Sequence, residues 1–140
     1  MTNEFSENEL VTINLHSGSY DRVTNALSLA IICLAMGMDV TILLTYEALR
    51  RFVKGHLEDM EGTDDEFQNL FQDGIERGSI TSVAGKLAEA KDLGLKLYAC
   101  PSAMATMNII RQDMVDEVDD LMGLATFIGL ARTAKINWYI

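Results

Sequence analysis

Residues 39–44 read DVTILL, and this short stretch carries the strongest information about the fold. It is almost continuously apolar, whereas a strand with one solvent-facing side alternates apolar and polar residues. A continuous apolar strand is expected where helices cover both faces of a parallel sheet. The stretch therefore predicts an α/β protein with a buried parallel strand at this position.

Further strand patterns lie on both sides of this stretch. Residues 10–15 (LVTINL) and 95–99 (LKLYA) are short, apolar and followed by polar or proline-containing turns. Residues 136–140 (INWYI) are typical of a closing strand, and a weaker strand pattern lies near residues 115–118. With the central stretch they make five candidate strands.

Helical patterns separate these strands. Residues 22–36 repeat apolar side chains at helical spacing, with Asp21 as the candidate N-cap, and a later helix begins near Ser79 or Thr81 and ends before Gly94. Shorter or weaker helical patterns cover residues 46–52, 104–110 and 122–134. The alternation predicts a three-layer sandwich around a mostly parallel sheet, formed by one domain over residues 1–140. Two polar regions have no clear pattern: an N-terminal arm, residues 1–9, and a segment over residues 54–78.

Composition and charge argue against several classes of function and location. The formal net charge of −10 argues against nucleic acid as a partner, because binding to phosphates relies on Lys and Arg. The longest apolar stretch, residues 26–38, is too short to span a membrane, and residues 1–9 lack the features of a secretory signal. We therefore expect a cytoplasmic protein, in which Cys33 and Cys100 are free thiols.

Three loops are predicted to meet at the carboxyl edge of the sheet, where ligands of open parallel sheets bind. They cover residues 16–21, 45–47 and 100–103, and Cys100 is the one strongly nucleophilic side chain among them. Pro101 favours the first position of a helix, which makes Cys100 its N-cap, where unpaired N–H groups stabilise a thiolate. Cys100 is thus the candidate catalytic residue. The alternative is that Cys100 is a small buried hydrophobe, as Cys33 is expected to be.

Five further residues form the predicted substrate-binding set: His16, Ser17, Gly18, Ser102 and Met104. His16 is suited to orient a substrate or act as a base, or else it caps the loop. Met104 offers a soft thioether to a sulfur substrate, but packing within the helix or at a subunit interface is the favoured explanation.

Other function classes lack their motifs. Gly18 stands alone where a dinucleotide site needs Gly-x-Gly-x-x-Gly, although Ser17-Gly18-Ser19 could cradle a phosphate or the phosphate of a flavin. A small-molecule binding module of that type is the alternative function. The acids in residues 113–120 have no interleaved His or Cys, so no metal site is expected, and no cofactor is predicted. Leu97 stands three residues before Cys100, where a peroxiredoxin has Thr.

Two motifs resemble the DsrE/DsrF-like family. They are residues 96–104 (KLYACPSAM), a strand followed by a cysteine, and residues 123–128 (GLATFI), a small-residue and aromatic helix start before the last strand. The resemblance implies a flavodoxin-like fold and a trimer or hexamer. It also implies sulfur trafficking, with Cys100 carrying persulfide or thiosulfonate sulfur to or from a TusA-like or rhodanese-like protein. The roles that this resemblance implies are those of a sulfurtransferase, a sulfur carrier or a non-catalytic oligomeric subunit. The acidic residues 58–66 depart from the family's compact pattern.

Overall fold

The computed structural model describes residues 7–140, so most of the predicted N-terminal arm lies outside the described residues. Strands and helices alternate through most of this range. The strands are β1 (Leu10–Leu15), β2 (Asp39–Leu44), β3 (Lys96–Ala99), β4 (Asp120–Leu121) and β5 (Ile136–Tyr139). The helices are α1 (Tyr20–Ala35), α2 (Glu47–Arg51), α3 (Asp65–Glu76), α4 (Val83–Asp92), α5 (Pro101–Met107) and α6 (Leu124–Ala131), with a 3₁₀ turn at Arg111–Asp113.

The five strands form one sheet in the order β4-β3-β2-β1-β5, and every pairing between neighbours is parallel. In the central pair, Leu10 pairs with Asp39 and Leu15 with Leu44. The predicted α/β class with a five-stranded sheet is therefore confirmed, and the sheet is fully rather than mostly parallel.

Helices cover both faces of the sheet, which gives the three predicted layers. Helices α1 and α4 pack against each other, while α6 packs against β1. The β1-to-β2 and β4-to-β5 connections run in opposite directions across the sheet. Because such crossovers are right-handed, they place α1 and α6 on opposite faces.

The burial of the strands follows their place in the sheet. In the central strand β2 every residue after Asp39 is buried, which explains the continuous apolar pattern of DVTILL. Both residues of the edge strand β4 are exposed. The predicted position of the fourth strand, residues 115–118, was wrong, because Val115 and Val118 are buried in a loop and the strand that pairs with β3 is only two residues long, too short to show a strand pattern.

Helix boundaries also differ from the sequence patterns. Helix α1 begins at Tyr20 with Ser19 as N-cap, not Asp21, and α4 is capped by Ser82, whose Oγ accepts from the Gly85 N–H at 3.1 Å. These positions were missed because neighbouring Ser, Thr and Asp residues are all competent caps.

The polar segment over residues 54–78 contains an unpredicted helix, α3. The Asp64 carboxylate caps it by accepting from the Glu66 N–H at 3.0 Å. Phe71 packs edge-on against Tyr20 of α1, with ring centroids 5.0 Å apart. A long acidic stretch hid this helix, although its apolar residues recur at helical spacing.

Candidate functional site

The three loops predicted to share the carboxyl edge of the sheet do lie side by side. The Thr45 N–H donates to the Leu15 carbonyl at 3.0 Å, and the Cys100 N–H donates to the Leu44 carbonyl at 3.1 Å. These bonds continue the parallel ladders of β1, β2 and β3 by one residue. The ends of the three strands are thus held in register, and the loops that follow them leave from the same edge.

Cys100 lies at the end of β3 and is the N-cap of α5, with Pro101 at the first helical position as predicted. Its carbonyl accepts from the Met104 N–H at 2.9 Å, and its side chain makes no capping hydrogen bond. Only 2% of Cys100 is exposed. Cys100 therefore combines the position of a helix-capping thiol with the burial of a core residue, and a reagent reaches it only if the groups covering it move.

The two predicted binding residues next to Cys100 differ in their surroundings. Met104 is 5% exposed and belongs to the hydrophobic core, whereas Ser102 lies exposed on the outside of α5. Neither residue lines a cleft with the loop after β1.

That loop brings His16, Ser17 and Gly18 together at a polar cleft of about 340 Å³, which Arg22, Glu47 and Glu61 also line. A second hollow of about 430 Å³ adjoins it and shares Gly18, Glu47, Glu61 and Gly62. Cys100 lines neither space. The structure thus separates the predicted site residues into a cleft at the first loop and a buried cluster around Cys100.

Four backbone N–H groups of this loop and of the start of α1 already have partners within the chain. The N–H groups of His16 and Ser17 both donate to the Ile140 carbonyl oxygen, at 2.8 and 3.1 Å. The Ser19 N–H donates to Ser17 Oγ at 3.2 Å, and the Tyr20 N–H donates to Thr63 Oγ1 at 3.3 Å. These four N–H groups are therefore not free to hold a phosphate.

Gly18 has a packing role that its sequence context did not reveal. A Cβ atom at this position would lie 2.3 Å from the Glu47 carbonyl oxygen, well inside van der Waals contact. The absence of a side chain therefore allows the loop after β1 to approach the start of α2.

An aromatic cluster surrounds His16. Its ring centroid lies 5.5 Å from that of Tyr46 and 5.7 Å from that of Tyr139. Tyr46 has φ 47° and ψ −115°, a strained conformation for a residue other than glycine that costs roughly 1–3 kcal/mol. Neither tyrosine was predicted as a site residue, although Tyr46 lies in the predicted loop over residues 45–47 and Tyr139 in the predicted strand over residues 136–140.

Arg51 was also missed, and it organises the loops beneath the cleft. Its guanidinium is buried and donates to Gly18 O from Nε at 3.0 Å and from Nη2 at 2.8 Å. Its Nη1 donates to the carbonyls of His56, Leu57 and Asp59. Burial lowers the pKa of Arg51. One side chain therefore ties the loop after β1 to the start of the acidic segment.

A second network fixes the acidic segment to α4. Buried Tyr20 donates from its hydroxyl to Glu58 Oε1 at 2.7 Å and accepts from the Val83 N–H at 3.2 Å. Glu58 Oε2 accepts from the Ala84 N–H at 2.7 Å. Burial, followed by the bond to Glu58, raises the pKa of Tyr20 to about 12. The neutral phenol is thus part of the fold.

Within residues 7–140, no group of three or more His, Cys, Asp or Glu side chains is arranged to hold a metal ion. In the same range no helix is long and apolar enough to cross a membrane.

Comparisons with known proteins agree with this architecture. Residues 56–139 match the sequence profile of the DsrE/DsrF/DrsH-like family. The YchN protein of E. coli has a similar structure, with a TM-score of 0.66 and 14% identity, over 95% of this chain and 99% of that protein.

Two further solved structures are similar. MTH1491 of Methanobacterium thermoautotrophicum, a protein of unknown function, gives a TM-score of 0.64 at 12% identity, over 95% of this chain and 100% of its own. BT1422 of Bacteroides thetaiotaomicron, a conserved protein of unknown function, gives a TM-score of 0.59 at 15% identity, over 99% of this chain and 100% of its own. No curated protein matches the chain. At these identities the structural likeness shows the fold alone.

Proposed function

The chain belongs to the DsrE/DsrF/DrsH-like family, and from this premise we propose that it carries sulfane sulfur on Cys100 in a sulfur relay. The observation that carries the proposal is the position of Cys100, which ends β3 and caps α5 inside the matched region. The thiolate of such a cysteine is the form that attacks sulfur. The donor or acceptor in the relay would be a TusA-like or rhodanese-like protein.

The reaction proposed is exchange at sulfur. The Cys100 thiolate attacks a terminal sulfur of a polysulfide, an S–S bond of the polysulfide breaks, and a polysulfide shorter by one sulfur leaves with the bonding electron pair. Cys100 then holds a persulfide. Transfer to an acceptor thiolate repeats the step in the opposite sense, so no external oxidant or reductant is required.

The burial of Cys100 sets a condition on this chemistry. Because 2% of the residue is exposed, small donors should load the thiol faster than a bulky protein, unless a docked partner opens the site. The same burial also favours a second function, that of a non-catalytic subunit of an assembly in which other chains carry the sulfur.

Intact mass spectrometry after incubation with polysulfide or tetrathionate separates these two functions. A carrier should gain mass in the wild type and in Cys33→Ser, but not in Cys100→Ser. Cys33→Ser is the matched control, because Cys33 is the other free thiol and is also buried. If the wild type gains no mass with either donor, the carrier proposal fails and the non-catalytic subunit replaces it.

We also propose a homo-oligomer, a trimer or hexamer, assembled through the face that carries α6. This helix contains no charged residue, yet Leu124 and Ile128 are 49% and 56% exposed, and Tyr139 of the neighbouring layer is 70% exposed. An exposed apolar face of this kind is typical of an association surface. Light scattering should show more than one subunit, and Ile128→Glu should dissociate the assembly while Met36→Glu, at another exposed apolar residue, should not. A monomeric wild type at micromolar concentration would refute this assembly.

A further inference from the structure

The charge of the chain is concentrated in one segment. Residues 58–76 contain no basic residue and eight acidic ones, out of 21 acidic residues in the whole chain. Outside the segment, the remaining 13 acidic residues are nearly balanced by 11 basic ones. The segment therefore carries most of the net charge of −10. Its acidic residues are Glu58, Asp59, Glu61, Asp64, Asp65, Glu66, Asp73 and Glu76.

Helix α3 within this segment exposes large apolar side chains. Phe67 and Leu70 lie one turn apart on the helix and are 44% and 57% exposed. Ile80 lies over Gly74, one turn beyond Leu70, and it is 39% exposed. Together Phe67, Leu70 and Ile80 form what we call the α3 row. Phe71 of the same helix packs inward against Tyr20. Only part of the apolar side of α3 is therefore covered by the rest of the chain.

Acidic side chains border this row. Glu66 lies four residues before Leu70 and Asp73 three residues after it, and both are exposed. Residues at these spacings are neighbours on a helix surface. Arg77, the first basic residue after the segment, caps the helix and donates to the Asp73 carbonyl at 3.2 Å. The row is therefore an apolar strip with a negatively charged border.

From this arrangement we infer that the α3 row is a docking surface for a basic segment of another protein, one that inserts apolar side chains beside Phe67 and Leu70. The charge selects the occupant. A second copy would bring eight further acids against the first eight, and nucleic acid or an anionic membrane would be repelled in the same way. A Lys- or Arg-rich polypeptide with apolar anchors complements both the strip and its border.

Two synthetic amphipathic peptides of equal length test this inference. Both carry Leu at helical spacing, one with Lys and the other with Glu at the remaining positions, and binding to the full chain is followed by fluorescence anisotropy. The Lys peptide should bind and the Glu peptide should not. Raising the salt from about 0.05 to about 0.3 M should weaken binding about tenfold, because screening acts on exposed charges.

Variants separate the row from general acidity. Phe67→Ser with Leu70→Ser should weaken binding by about tenfold or more, whereas Met36→Ser, at the exposed apolar residue that follows α1, should leave it unchanged. Glu66→Gln with Asp73→Asn should flatten the salt dependence. Cys100→Ser should bind like the wild type, so this test is independent of the proposed sulfur chemistry. Equal binding of both peptides, binding that ignores the Phe67 and Leu70 substitutions, or self-association that requires these two residues would each overturn the inference.

Discussion

Arg50 and Arg51 are adjacent and chemically identical, but the structure assigns them opposite energetic roles. Arg51 is 6% exposed and donates to four backbone carbonyls, two of its nitrogens sharing the Gly18 oxygen. Arg50 pairs with Glu47 at 3.2 Å, with the two side chains 64% and 56% exposed. Replacing each arginine by alanine therefore compares a buried guanidinium that joins two loops with a solvent-exposed ion pair in the same helix.

The expected costs differ severalfold. Hydrogen bonds from a charged donor contribute about 1.5–3 kcal/mol each, but bonds made by one guanidinium are not additive. Arg51→Ala leaves the carbonyls of the two loops without their donor, and we expect a loss of about 3–4 kcal/mol of unfolding free energy. Arg50→Ala should cost no more than about 0.5 kcal/mol, the usual value for an exposed pair.

Urea denaturation followed by circular dichroism measures both variants. With a slope of roughly 1.5–2 kcal/mol/M for a domain of this size, Arg51→Ala should lower the midpoint by about 2 M. Hydrogen exchange should also show faster exchange of the loop amides over residues 56–63. Arg51→Lys should fall between the wild type and Arg51→Ala, because one ammonium group cannot reach both loops. If Arg51→Ala lost less than about 1 kcal/mol of unfolding free energy, or no more than Arg50→Ala, Arg51 would not hold the two loops together as argued.

Three other changes test separate features. Gly18→Ala should cost about 2 kcal/mol or more in urea denaturation, because its Cβ would lie 2.3 Å from the Glu47 oxygen, whereas Gly129→Ala, with nothing within 4 Å, should be neutral or stabilising. Tyr20→Phe should cost about 1–2 kcal/mol at pH 7. The raised pKa of Tyr20 means that its contribution is complete below pH about 10 and is lost as the pH rises to about 12, so the difference between wild type and Tyr20→Phe should shrink over that range. Burial raises the pKa of the Cys33 thiol, and a thiol reagent should label Cys33 only after denaturation; rapid labelling of the native protein would refute its burial.

The sequence was sufficient to predict those helices and strands whose own residues show a clear hydrophobic pattern. DVTILL predicted a strand buried on both faces, and the structure places it third of five in a parallel sheet. LVTINL and the helix that follows it were equally readable, since their burial follows the local spacing of apolar residues. The position of β4 could not be predicted from the sequence, because its two residues are exposed and form a strand only by pairing with β3.

The candidate site was predictable at the level of loops but not of side chains. Parallel strands must end at a common edge, so the convergence of the loops beginning at His16, Thr45 and Cys100 followed from the strand pattern alone. The burial of Cys100 depends on what packs over it, which no local pattern records. The separation of Cys100 from the cleft at His16 likewise depends on long-range packing.

Arg50 and Arg51 show why the remainder required the tertiary structure. In the sequence they are two arginines ending a short polar helix, and nothing in EALRR distinguishes them. The rotation of α2 about its own axis decides which guanidinium faces Gly18 and residues 56–59 and which faces solvent. That rotation is determined by the burial of Ala48 and Leu49 against the core, a set of contacts that exists only once the sheet has formed.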